Sequence, residues 1–189
     1  APYDYFQEID TPERLLLRDE IEATIFRAIE ALPEDLRTAE MCLEAVRQEG
    51  LALAYVPKLL LTPEMCLEAV RQNGRALGKV PDELRTPELY IAAVRQNGEA
   101  LVYVPEDLRT PDLCLEAVRQ NGMALCHVPE ELRTPELKMA AVRRSGGALC
   151  HVPKAQRTAN LCQAAVRQDG MALVLVPEEL RTPELCLEA

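Results

Sequence analysis

Residues 105–128 read PEDLRTPDLCLEAVRQNGMALCHV, and this stretch decides the fold. Thr110 is a helix N-cap residue, Pro111 suits the first turn because its missing donor costs nothing there, and Asp112 puts negative charge at the positive end of the helix dipole. Leu113, Cys114, Ala117 and Val118 fall at i, i+1, i+4 and i+5, one apolar stripe of a helix that ends with Arg119 and Gln120 before Asn121-Gly122. Gly122 is expected to stop it in the left-handed conformation. Ala124, Leu125 and Val128 fit a second, shorter helical piece, closed by Pro129, which biases Val128 out of the helical region. The following Pro-Glu-Glu-Leu is expected to form a single 3₁₀ turn that drops Leu132 onto the core. Strand signals are missing, because no segment alternates with period two.

The same pattern returns every 24 residues, at 33–56, 57–80, 81–104, 105–128, 129–152 and 153–176, with a partial seventh unit at 177–189. A unit of this size holds about five large apolar side chains, worth roughly 1.5–3 kcal/mol each when buried. Fixing its backbone costs about 1–2 kcal/mol per residue. A lone unit therefore cannot fold, and neighbours must stack to bury the columns Leu36/Leu84/Leu108, Val46/Val70/Val94 and Leu53/Leu77/Leu101. The expected architecture is an all-α solenoid of helix-turn-helix repeats, each a long helix plus a short α or 3₁₀ piece. Its superhelix is expected to be right-handed, as in related solenoids. Residues 1–32 break the period and are read as an N-terminal cap, with a helix over about 12–31 whose Leu17, Ile21, Ile25 and Ile29 seal the first repeat. The last unit stops part-way through a helix at Cys186-Leu187-Glu188-Ala189, which points to a piece of a longer repeat protein with an uncapped edge open to self-association.

The chain has 189 residues, 31 acidic side chains against 21 Lys and Arg, and a net charge of −10. Counterion release on nucleic acid needs a basic stripe, so this balance argues against nucleic acid and against anionic membranes. Apolar runs are too short for a membrane span, and no signal-peptide pattern opens the sequence. An odd count of 7 cysteines without paired spacing fits a reducing, cytoplasmic compartment.

The Ala-Val-x-Gln-Asn-Gly-x-Ala-Leu core carried by residues 69–77, 93–101 and 117–125 resembles a bacterial family of short two-helix repeats catalogued as a domain of unknown function. A weaker similarity is to leucine-rich variant repeats, which share the 24-residue length and the mixture of α and 3₁₀ pieces. The resemblance implies a fold and a binding role, and supplies no catalytic residue and no cofactor.

Several columns invite functional readings. Cys42, Cys66, Cys114, Cys162 and Cys186 share one slot with Tyr90 and Lys138, so the slot is read as a boundary position rather than a sealed one. Cys126-His127 and Cys150-His151 are the ligand types of a structural zinc site. Adjacent residues point in different directions, though, and the second pair lies a repeat away, so the chain is read as holding no metal. The column Tyr55, Lys79, Tyr103, His127, His151, Leu175 varies while the Leu and Val slots do not, as does the column containing Met123 and Met171. Tyr and His rings and adaptable Met side chains make this a candidate recognition surface. Two arginine ladders run through the array. Arg47, Arg71, Arg95, Arg119, Arg143 and Arg167 are read as complements of the helix dipole, paired with Glu44, Glu68 or Glu116 where these precede. Arg37, Arg85, Arg109, Arg133, Arg157 and Arg181, beside acidic pairs such as Asp82-Glu83, are read as inter-repeat ion pairs. The functional expectation is a non-catalytic protein or peptide scaffold. The alternatives are an architectural spacer that assembles head to tail and a thiol or metal protein.

Overall fold

The computed structural model describes residues 31, 33 and 38–188, so the expected cap helix, Leu36 and Arg37 lie outside the described residues, apart from a helical Ala31. From Thr38 onward, α-helices alternate with two 3₁₀ segments per repeat, and the described residues contain no strand. The helices are α1 (Ala39–Gln48), α2 (Pro63–Gln72), α3 (Pro87–Gln96), α4 (Pro111–Gln120), α5 (Pro135–Arg144), α6 (Ala159–Gln168) and α7 (Pro183–Glu188). Long 3₁₀ segments follow α1 to α6 at Gly50–Tyr55, Gly74–Lys79, Gly98–Tyr103, Gly122–His127, Gly146–His151 and Gly170–Leu175. Short ones precede α2 to α7 at Lys58–Leu60, Asp82–Leu84, Glu106–Leu108, Glu130–Leu132, Lys154–Gln156 and Glu178–Leu180. Each α-helix packs on the next, and each long 3₁₀ segment packs on its successor, so the chain is an all-α solenoid of tandem repeats.

Local chemistry sets the boundaries. Each helix from α1 to α6 opens on a threonine whose hydroxyl accepts a first-turn N–H, as Thr110 does from Leu113 at 3.3 Å. At the other end of α4, Asn121 is extended (φ −142°, ψ 113°), donates its N–H to Ala117 O, and turns its side chain forward to accept from Met123 N at 3.0 Å. One residue thus ends the α-helix and caps the 3₁₀ segment. The glycine after it is not the left-handed stop that the sequence led one to expect: no described residue has a positive φ. Its role is tertiary. A Cβ on Gly122 would stand 2.3 Å from the carbonyl oxygen of Ala141 in the next repeat, and Gly50, Gly74, Gly98 and Gly146 meet Ala69, Ala93, Ala117 and Ala165 in the same way. The Gly and Ala columns are where successive backbones touch.

The Val46/Val70/Val94 and Leu53/Leu77/Leu101 columns are buried, continued by Val118, Val142, Val166, Leu125 and Leu149. The third stacking column needs correction. Leu84 is half-buried and Leu108 is 42% exposed, because the three-residue 3₁₀ turn that carries them lies at the rim and packs on one side only. Leu132 is partly buried against the core. The cysteine slot errs the other way: Cys42, Cys66, Cys114 and Cys162 are sealed, at 0–1% exposure. Tyr90 is buried too, while Lys138 is half-buried and donates from its ammonium to Gln156 Oε1 at 2.5 Å. The slot runs from the core to its edge, so a thiol stays inside and a long side chain emerges.

Among the described residues, the second arginine ladder does not make the expected inter-repeat ion pairs. Nε of Arg85, Arg109, Arg133, Arg157 and Arg181 donates to the carbonyl of the valine five residues earlier, at 2.8–3.0 Å. That valine closes the preceding repeat, and from this anchor the guanidinium reaches forward to the end of its own repeat's long 3₁₀ segment: Arg109 to His127 O at 2.7 Å, Arg133 to His151 O at 3.4 Å, and Arg157 to Leu175 O. Its ion pairs, Arg85–Asp82 at 2.8 Å and Arg109–Glu106 at 3.9 Å, stay within one turn. Carbonyls win because the 3₁₀ segments end with acceptors beside the half-buried guanidinium, whereas the carboxylates stand out in water. Gln96 bridges repeats by a similar logic, accepting from Gly74 N at 2.6 Å and donating to Gln72 O at 3.1 Å.

A recognition groove over the long 3₁₀ segments

A 3₁₀-helix has three residues per turn, so side chains at i and i+3 eclipse. In Gly122–His127 this puts Gly122 and Leu125 on the buried edge, continued by the capping residue Val128, and stacks Met123 over Cys126 on the outer one. His127 falls between them and is half-buried. Repetition of this geometry turns the variable slots into columns along one side of the solenoid.

A groove of about 570 Å³ crosses these columns, lined by Arg75, Glu99, Val102, Tyr103, Met123, Cys126, His127 and His151. Of the residues singled out in the sequence, it brings together Tyr103, Met123, Cys126, His127 and His151. Tyr55, Lys79 and Met171 do not line it; Met171 is 77% exposed, and the neighbouring Val174 and Leu175 belong with Cys150 to a separate groove. Arg75 and Glu99 belong to the variable column of Met123 and Met171, and Val102 to the variable slots beside Tyr103; what sequence reasoning missed is that these columns share one groove. The signal that would have shown it is a period of three in place of 3.6, which joins the two variable columns into one surface.

Arg75 and Glu99, one repeat apart, form an ion pair at 2.5 Å, and Glu99 also accepts from Asn121 Nδ2 at 3.1 Å. The hydrogen bond from Arg75 is the main reason the Glu99 carboxyl lies below its ordinary range. Tyr103 leans toward the preceding repeat, where a Cβ on Gly78 would be 2.7 Å from its ring; the glycine makes room for the ring. The His127 and His151 carbonyls are held by Arg109 and Arg133. Burial first, then Arg109, pushes the His127 imidazole below its usual 6.5, with Glu99 pulling the other way; burial and then Arg133 lower His151. Both are neutral at pH 7. Nε2 of His151 is buried without a hydrogen-bond partner.

The depressed histidines have a consequence for stability. The unfolded chain binds protons first, so the histidine contribution is intact above pH 6.5 and is lost as the pH falls through the folded values. NMR titration should place both imidazoles below 6.5, with His127 rising in an Arg109→Ala variant. Midpoints at or above 6.5 would contradict the burial described here.

Cys126 and Cys150 are exposed, and Cys42, Cys66, Cys114 and Cys162 are sealed. Burial raises the thiol pKa of Cys66, Cys114 and Cys162, and that of Cys126 as well, so access to the reagent separates the two sets. Maleimide labelling of the native chain, mapped by mass spectrometry, should therefore modify Cys126 and Cys150 and spare those four until denaturant is added. Early labelling of Cys66 or Cys114 would show that the core is not closed. Although Cys126, His127 and His151 share the groove, among the described residues no three His, Cys, Asp or Glu side chains form a group that could hold a metal ion. No helix among the described residues is long and apolar enough to cross a membrane.

Comparison with known proteins agrees with the repeat. No solved structure matches the chain. A stretch of 33 residues is 64% identical to the RNA polymerase sigma-H factor of Pseudomonas aeruginosa. It covers 18% of this chain and 17% of that protein, so the match spans about a sixth of the relative's length and carries none of its activity here. The family model described as a domain of unknown function, DUF4116, matches four times, at 38–85, 62–109, 86–133 and 110–157. Every match starts on a capping threonine, ends on an arginine of the second ladder and is offset by one repeat from the last. With the matches covering well over half of its length, the chain belongs to the DUF4116 family.

Proposed function

We propose that the array is a non-catalytic scaffold that binds a protein or peptide segment in the groove between Arg75 and His151. The observation that carries this reading is the convergence of variable slots from successive repeats on one groove, where the buried His151 Nε2 has no partner. A buried polar atom without a hydrogen bond costs about 1–3 kcal/mol, and a ligand that supplies one recovers it. Tyr103, Val102 and Met123 offer apolar contact, the neutral imidazoles offer donors and acceptors, and the Arg75–Glu99 pair closes one side. The backbone beneath is fixed by Arg109 and Arg133, so little ordering is needed on binding. The exposed thiols of Cys126 and Cys150 suit a reducing compartment, as in the cytoplasm.

Selection from a random-peptide phage library on the intact chain tests this. Enriched peptides should bind the wild type and lose at least about tenfold in affinity to Tyr103→Ala, His127→Ala and His151→Ala. A selection that enriches nothing, or peptides indifferent to all three changes, would overturn the reading.

A further inference from the structure

The opposite side of each repeat, formed by the α-helices, carries a different chemistry. Arg71, Arg95, Arg119 and Arg143 stand exposed in the last turns of α2 to α5, and none of them forms an ion pair, although Glu68 and Glu116 lie three residues before two of them. In the first repeat the expected pairing occurs, Arg47–Glu44 at 4.0 Å. Among the six full repeats the acidic slot of that pairing is occupied by Glu44, Glu68 and Glu116 in three, and by alanine at Ala92, Ala140 and Ala164 in the other three. Where Ala92 replaces the carboxylate, a cleft of about 620 Å³ opens between α2 and α3, with Leu67, Ile91 and Ala92 as its floor, Arg71 and Arg95 beside it, and Glu88 also on its wall. Ile91 is 42% exposed there. Gln96, also in the wall, is already engaged with Gly74 and Gln72 and holds the two repeats together. A second cleft, of about 560 Å³, recurs between α5 and α6 with Ala164 in the same slot and Met139, Arg143 and Arg167 around it.

We infer that the α2/α3 cleft is a second docking site, separate from the groove over the 3₁₀ segments, and that it takes an acidic segment of a partner protein with an apolar side chain next to its carboxylates. Charge complementarity names the occupant. In a chain of net charge −10, two neighbouring guanidiniums without partners, with the local carboxylate deleted, select an anion. The Leu67–Ile91–Ala92 floor requires an apolar side chain in addition, because water gains nothing from covering it. Glu88 repels a segment that is acidic throughout and so fixes the order: the apolar side chain on the floor, the carboxylate against Arg71 and Arg95.

Fluorescence anisotropy tests the site with a labelled peptide of repeated Leu-Glu-Glu triplets, against Leu-Gln-Gln and Ser-Glu-Glu controls, on the full chain in an Ala140→Glu, Ala164→Glu background so that of the three alanine slots only Ala92 is open. The Leu-Glu-Glu peptide should bind, release with added salt, and outbind both controls. Ala92→Glu should weaken it at least about tenfold, as should Arg71→Gln with Arg95→Gln. Folding is protected in the first variant because glutamate fills that slot in three other full repeats, and an unchanged thermal melt checks it. His127→Ala should leave the affinity alone. No binding, equal binding of Ser-Glu-Glu, indifference to Ala92→Glu, or loss on His127→Ala would each overturn the proposal. Self-association of the chain abolished by Ala92→Glu would also overturn it, assigning the cleft to a second copy. The phage selection reads the other face, so either site can fail alone.

Discussion

Gly98→Ala is expected to destabilise the array by about 3 kcal/mol or more, at the upper end of what overpacking costs. The new methyl would sit 2.2 Å from Ala117 O, 3.0 Å from Ala117 C and 3.1 Å from Asn121 N. All three are backbone atoms, so no rotamer change relieves the clash, and α4 must separate from the 3₁₀ segment beneath it. Gly147→Ala is the matched control. Its nearest contact would be Met123 Sδ at 3.8 Å, ordinary van der Waals distance, and its φ is not positive. There the substitution should be neutral or stabilise by up to about 1 kcal/mol, through the unfolded chain's lost freedom. Gly98→Asn separates the two explanations of the glycine column. Asparagine tolerates a left-handed cap but cannot escape the Ala117 carbonyl, so it should cost at least as much as alanine. Urea unfolding followed by circular dichroism reads all three; equal midpoints for Gly98→Ala and Gly147→Ala would refute the backbone contact.

Arg109→Ala should cost about 2–4 kcal/mol, since it removes two charge-assisted hydrogen bonds and strands their acceptors. The side chain is 13% exposed, with Nε on Val104 O at 2.8 Å and a terminal nitrogen on His127 O at 2.7 Å. Lysine should recover little, because a single ammonium cannot span two carbonyls as the planar fork does. Arg119→Ala, in the exposed ladder, should stay within about 0.5 kcal/mol. The same denaturation series compares the two ladders directly, and similar losses at Arg109 and Arg119 would contradict the division of labour described here. Because Arg109 holds the His127 carbonyl, its loss should also weaken any peptide selected on the groove, even though Arg109 does not line it.

Sequence and structure divide along interaction range. The 24-residue period was legible as self-similarity, and the threonine caps, the ends of the helices at glutamine and the single 3₁₀ turn after proline were legible at Thr110, Gln120 and Pro129, because each of these is settled by residues three or four positions apart. The buried Val and Leu columns followed from those helices. Misreadings fell on residues whose partner is a repeat away. Gly122 looked like a left-handed stop and is a contact with Ala141; Arg109 looked like an ion-pair partner and binds carbonyls; Cys114 looked like a boundary position and is sealed. In a tandem repeat every column is compatible with many stacking offsets, and no local pattern says which atoms 18 to 24 residues apart will meet. The variable slots were visible as columns for the same reason that their grouping was not. The sequence by itself determined an all-α repeat and its local caps. Only the stacking decided which residues form a groove, because side-chain proximity across repeats depends on how one backbone seats on the next, here at the Gly–Ala contact and the arginine straps.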